Sequence, residues 1–191
     1  MITLTFDSIA ENIQAGEALE IRGANGSGKS TLLRTIAGFI EPQEGSVRWE
    51  GQCTLKHRDS YQKKLHYIGH KPGMRSSLTV LENLSLFCAL KKINPTQKHL
   101  DEVMEKMGLI QFNYKITSTL SAGQQQRLAL ARLLLYPQPI WILDEPGTAL
   151  DQAGEKLLKN LLENQLAQKG IVIMATHQPT LLNFSVKTIN L

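Results

Sequence analysis

Gly23–Thr31 reads GANGSGKST and lies between the apolar run Ala18–Ile21 and a second apolar stretch, Leu32–Ile36. Few architectures accommodate such a segment. A glycine-rich turn between a strand and a helix lets successive backbone N–H groups point inward with no Cβ in the way, and the helix adds the positive end of its dipole. The product is a cradle for phosphate. Gly23, Ala24, Asn25, Gly26, Ser27 and Gly28 form its loop, and Lys29, Ser30 and Thr31 open the helix. Lys29 is placed to reach the β- and γ-phosphates of a nucleotide, and Ser30 to hold Mg²⁺. A glycine turn with a solvated lysine has the same letters, so the downstream residues decide.

Pro139–Glu145 reads PIWILDE, a short apolar run ending in two adjacent carboxylates. Runs of this kind are buried in parallel sheets, and ligands of such α/β domains gather at the carboxyl ends of the strands. Asp144 is therefore expected to face a metal ion and Glu145 the phosphate oxygens beyond it. A strand ending in a solvated acidic turn is common, but it does not call for a phosphate loop upstream.

The chain between these motifs predicts an α/β fold interrupted by helices. Strands are expected at Ile2–Phe6 and Ala18–Ile21, joined by a turn around Ala15–Gly16. A helix over Lys29–Ala37 stops at Gly38, and strands follow at Ser46–Glu50 and Leu65–Gly69 with a polar connection between them. Val80–Leu90 is apolar at helical spacing, and Pro95–Gly108 has a proline start and a glycine stop. Residues 121–135 read as an amphipathic helix capped by Ser121, and Gln152–Lys169 as another, with a buried strand at Ile171–Ala175 and a final strand at Val186–Leu191. With no repeat or long linker, residues 1–191 are read as one domain with a helical subdomain near 71–135.

Composition narrows the setting. The net charge of +4 suits anionic nucleotide, lipid or nucleic acid alike, but Lys63–Lys64 and Lys91–Lys92 read as solvated faces, and no nucleic-acid partner is expected. Cys53 and Cys88 form no CxxC pair, which points to a reduced compartment. No leader or 18-residue apolar run is visible, so the protein is expected in the cytosol unless a partner recruits it.

Between the two phosphate motifs stands Leu120–Gln124, LSAGQ, opening the helix over 121–135. Backbone N–H groups at its start, with the Ser121 hydroxyl, make a second anion site without an evident ligand in the same chain. With GANGSGKST, WILDEP, the ALD turn Ala149–Asp151 and Thr176–His177, in this order, the chain resembles the ATP-binding subunits of ABC transporters. The resemblance spans Gly16 to His177. It implies a P-loop NTPase fold of the ABC ATPase type, with a mostly parallel core sheet, an antiparallel β subdomain and a helical subdomain. It implies ATP and Mg²⁺ as cofactors, with Asp144 and Ser30 at the metal, Glu145 as general base and His177 as a switch histidine on the γ-phosphate. It also implies an ATP-sandwich dimer with a second copy of the chain. There Ser121, Ala122, Gly123 and Gln124 of one copy cap the nucleotide of the other, and Asp151 lies at the seam.

Three departures from the family pattern stand out. Ala122 occupies a position where glycine is common; its methyl is small enough to leave the helix terminus open to phosphate. His70, within YIGHKPG, stands where the family usually has glutamine near the nucleotide; an imidazole is a poorer Mg²⁺ ligand than an amide oxygen, so any metal contact is expected through water. No tyrosine precedes Gly16 to stack on adenine; Phe6 is the available aromatic, although its strand position suits core packing better.

Within the family, Gly-His-x-Pro-Gly, SAGQQQRLALARL and THQ resemble the branch that serves cytochrome c maturation, the ATP-binding subunits of bacterial haem exporter complexes. That resemblance implies a peripheral protein on the cytoplasmic face of the inner membrane, paired with an integral membrane subunit of the CcmB kind. The apolar stretch Leu78–Leu90 is expected to bury most of its side chains and to offer part of a groove for that subunit. The five histidines and two cysteines form no local ligand pair, so no direct haem binding is expected. Three other readings compete: the ATPase of a different ABC exporter, an ABC-type ATPase acting on nucleic acid, and a module that dimerises without turnover. The second calls for tandem cassettes or a basic stripe, and the third is disfavoured by the presence of Glu145.

Overall fold

A computed structural model of the chain describes residues 2–6, 9–71, 73–177 and 182–191. They form two compact units. One comprises Met1–His70, Gln138–Pro146 and Lys159–Leu191, the other Lys71–Pro137 and Gly147–Leu158.

The first unit holds two sheets. Strands β1 (Ile2–Phe6), β2 (Ile9–Ile13), β4 (Ser46–Trp49) and β5 (Gln52–Cys53) make an antiparallel sheet in the order β2-β1-β4-β5. Strands β3 (Ala18–Arg22), β6 (Leu65–Ile68), β7 (Ile140–Asp144), β8 (Ile171–Ala175) and β9 (Val186–Asn190) make a parallel sheet in the order β6-β7-β8-β3-β9. The expected link of the first strand to Ala18–Ile21 through one turn is thus corrected. β2 intervenes and pairs with β1, and the turn at Ala15–Gly16 carries the chain from one sheet to the other.

Every residue of β7 and β8 is buried, as continuous apolar runs in a parallel sheet require. Helix α1 (Lys29–Ile36) lays Leu33 and Ile36 into the core that Leu19, Ile21, Ile142 and Ile173 build, and Val47 and Tyr61 join the same cluster. The polar connection after β5 contains a short helix, α2 (Arg58–Gln62), fixed by the buried Tyr61 hydroxyl, which donates to the Ile36 carbonyl at 2.9 Å. Burial pushes that phenol well above its usual range.

The second unit contains α3 (Val80–Lys91), α4 (Gln97–Lys106) and α5 (Ala122–Leu135). Thr79 and Glu82 close a capping box on α3. Helix α4 begins two residues after the expected proline, because Thr96 caps it by accepting from the His99 N–H at 3.2 Å and Pro95 lies outside the cap. Asn83, a buried polar residue on α3, donates to the Arg75 carbonyl at 3.0 Å and to Thr117 Oγ1 at 2.9 Å, tying down the segments on either side. Helix α6 (Gln152–Ala167) gives its first turns to this unit and the remainder to the first.

Candidate nucleotide site

Register in the parallel sheet decides which side chains meet. Ile21 of β3 and Asp144 of β7 both align with Ala175 of β8, and Ile68 of β6 aligns with Leu143. The four strands therefore finish together at one edge. Out of that edge come Gly23–Thr31 after β3, Glu145 after β7, Thr176–His177 after β8 and His70 after β6.

The glycine loop is wound for its shape. Gly28, the residue before α1, has φ 101°, a left-handed conformation costly for side chains with a Cβ. Gly23 is needed for space instead, since a Cβ there would lie 2.5 Å from Ser27 Oγ and 2.8 Å from the Leu191 carbonyl oxygen. No side chain caps α1 and its first turn contains no acid, so the N–H groups at its start are open to an anion. Lys29 is almost wholly buried, and its ammonium donates to the carbonyls of Gly23 at 2.8 Å and Ala24 at 2.9 Å. The cation thus lies inside the ring of backbone that it would help to load. Ala24, Asn25, Gly26, Ser30 and Thr31 are exposed.

At the neighbouring strand end, Asp144 is 3% exposed, and its Oδ1 has no hydrogen-bond partner among the described residues. A buried carboxylate oxygen without a donor is costly, and a cation is its natural complement. With the Ser30 hydroxyl it offers the hard oxygen donors that Mg²⁺ takes. No cluster of three or more His, Cys, Asp or Glu residues suited to a metal occurs among the described residues. Burial chiefly, and the nearby Asp144 charge secondarily, raise the pKa of Tyr67.

Glu145 has φ 52°, a strained value for a residue with a side chain, and its N–H donates to the Ala175 carbonyl at 3.1 Å. One carboxylate oxygen, Oε1, lies 2.7 Å from His177 Nε2, and the other, Oε2, lies 3.9 Å from His70 Nδ1. Neither approach to an imidazole, nor the positive φ, was legible in the sequence. The strand run IVIMA and the adjacent acids gave the positions only.

In the second unit, the Ser121 hydroxyl accepts from the Gln124 N–H at 3.2 Å, and Gln124 Oε1 accepts from the Ser121 N–H at 3.0 Å. Gln124 is thus half of a capping box, and Gly123 is demanded by a neighbour, since a Cβ there would lie 2.7 Å from the Ala149 carbonyl oxygen. Local structure therefore accounts for both the glycine and the glutamine of LSAGQ. Ala122 is exposed at the helix start. Asp151 accepts from the Gly154 N–H at 2.8 Å and pairs with Arg127; these contacts, the backbone one foremost, hold its carboxyl below the usual range. Replacing Gly123 by alanine should lower the stability of the chain by about 1–3 kcal/mol. Thermal denaturation without nucleotide measures this, and an unchanged melting temperature would show that Ala149 yields freely.

The possible adenine contact, Phe6, has a side chain outside the described residues.

The family model described as ABC transporter matches residues 6–148. The chain belongs to the ABC transporter family. Relatives include the cytochrome c biogenesis ATP-binding export protein CcmA of Methylococcus capsulatus, 42% identical over 98% of this chain and 91% of that protein. The CcmA of Pseudomonas aeruginosa is 40% identical over 94% of this chain and 89% of that protein. Among solved structures, an ABC transporter ATP-binding protein from Pyrococcus furiosus covers all of this chain and 94% of its own at 26% identity, with a TM-score of 0.83. A dimeric ATP-binding cassette in a post-hydrolysis state with ADP and Pi covers 93% of this chain and 88% of its own at 28% identity, with a TM-score of 0.77. The ABC family is one of ATP hydrolases, and the parallel core, small antiparallel sheet and helices described above are the fold of its ATP-binding cassettes.

A cavity of about 440 Å³ in the second unit is lined by Met74, Leu86, Phe87, Leu90 and Arg132, among others, and Leu90 is 73% exposed. The Arg132 guanidinium lies over the Phe87 ring, and burial lowers its pKa to about 10. No helix among the described residues is long and apolar enough to cross a membrane.

Proposed function

We propose that this chain is the ATP-hydrolysing subunit of a membrane ABC transporter that serves cytochrome c biogenesis; its relatives at about 40% identity are named cytochrome c biogenesis ATP-binding export proteins. One observation carries the hydrolytic reading: at one edge of the parallel sheet, a carboxylate held on strained backbone faces two imidazoles next to a buried acid with an oxygen lacking a donor. In this reading residues 23–31 cradle ATP, and Lys29 transfers from the loop carbonyls to the β- and γ-phosphates. Mg²⁺, held by Asp144 and Ser30, would offset the phosphate charge. Glu145 takes a proton from water as the water oxygen bonds to the γ-phosphorus. The bond to the β,γ-bridging oxygen breaks, and ADP and inorganic phosphate result. His177 contacts the γ-phosphate.

The start of α5, with Ser121, Ala122, Gly123 and Gln124, serves the nucleotide of a second copy, and Asp151 lies at the seam. The dimeric cassettes among its structural neighbours support this arrangement. Loss of the γ-phosphate weakens the clasp, so hydrolysis opens the dimer. The chain acts as a peripheral protein on the cytoplasmic face of the inner membrane, with a CcmB-like integral subunit covering the cavity beside Leu90. A large apolar side chain left in water at its rim is what such a partner would cover. Haem need not touch this chain. Purification from detergent-solubilised membranes should recover an integral membrane subunit with the wild type. Leu90→Glu should lose it while still binding ATP, and recovery of ribosomal or nucleic-acid components alone would overturn the transporter reading.

A further inference from the structure

The roles above leave His70 without a task. Its exposed side chain follows β6, and its Nδ1 approaches Glu145 Oε2, the oxygen opposite the one that meets His177. We infer that His70 is a positioning residue for Glu145: its ring N–H secures Oε2 when His177 leaves Oε1 for the γ-phosphate, so the carboxylate stays aimed at the attacking water. The inference rests on the reading of Glu145 as general base.

Three features of the site support this division of labour. The backbone of Glu145 is already fixed, by its positive φ and by the bond from its N–H to Ala175, so only its side-chain torsions remain to be set. A carboxylate has two faces for donors, and an imidazole approaches each of them. The 3.9 Å separation is too long for a hydrogen bond, but closing it by about 1 Å makes one, and catalytic contacts commonly tighten only when substrate is bound. The His70 side chain is 65% exposed, which leaves it room for that movement.

The chemistry of the ring also explains why an imidazole differs from an amide here. A glutamine presents a carbonyl oxygen suited to a hard cation, whereas a neutral imidazole protonated on Nδ1 presents an N–H suited to a carboxylate. The His70 ring is thus suited to the carboxylate it approaches rather than to a hard cation.

His70→Ala in the full chain, assayed in its membrane complex if turnover requires it, should lower kcat by roughly 10- to 100-fold. The KM for ATP and the Mg²⁺ concentration giving half the maximal rate should not change. Added imidazole should restore part of the rate, because the site is open to solvent. His70→Asn, whose amide nitrogen falls near the position of Nδ1, should restore more. In a Glu145→Gln background, His70→Ala should slow the residual rate no further. An unchanged kcat in His70→Ala, or a loss reversed by raising Mg²⁺, would overturn the inference, the second by making His70 a metal contact. Normal hydrolysis by Glu145→Gln alone would instead sink the reading of the base.

Discussion

Glu145→Gln should reduce ATP hydrolysis by about 10²- to 10⁴-fold, the range that a general base supplies, while leaving ATP binding close to normal. The substitution keeps the size of the side chain and removes its capacity to accept a proton. The backbone strain at φ 52° and the N–H bond to Ala175 persist, so the loop after β7 retains its shape. With ATP and magnesium present, the variant should accumulate as a dimer of two chains clasping nucleotide, measurable by light scattering or crosslinking. Single chains under those conditions would dispose of the sandwich arrangement. A normal hydrolytic rate would show that another group activates the water.

Lys29→Ala should weaken ATP binding by roughly 10- to 100-fold, the equivalent of one charge-assisted hydrogen bond. The effect has two origins. The triphosphate loses its ammonium, and the carbonyls of Gly23 and Ala24 lose the donor that links them across the loop. Lys29→Arg is not a rescue, since a planar guanidinium does not fit a ring of backbone built around a compact ammonium. Titration with a fluorescent ATP analogue measures the loss. Equal affinities in wild type and Lys29→Ala would mean that the lysine serves only the loop.

What the sequence disclosed depends on whether order is local. The buried strands β7 and β8 stand out because five consecutive apolar or terminal positions have no other home, and α5 is announced by its serine cap. β2 escaped notice because IAENI places two polar residues at its centre; it exists through its pairing with β1. Helix α2 is five residues long, below what isolated propensity supports, and depends on Tyr61 reaching back to the end of α1. In the site, the phosphate loop and the adjacent acids could be named from spacing. The meeting of Glu145 with His177 and His70 could not, since it joins loops that follow three different strands. The glycine of LSAGQ is a similar case, because the carbonyl that excludes a side chain there belongs to Ala149, far along the chain.

The shared register of β3, β8 and β7 constrains how this protein tolerates change. Successive side chains of a strand point to opposite faces, so sliding β7 by one position would swap Asp144 with a leucine and turn the acid away from the loop. Aim in this catalyst is thus set by hydrocarbon. Exchanges among valine, isoleucine and leucine in these strands should pass almost unnoticed by the chemistry, whereas a single inserted or deleted codon should silence it even in a chain that still folds.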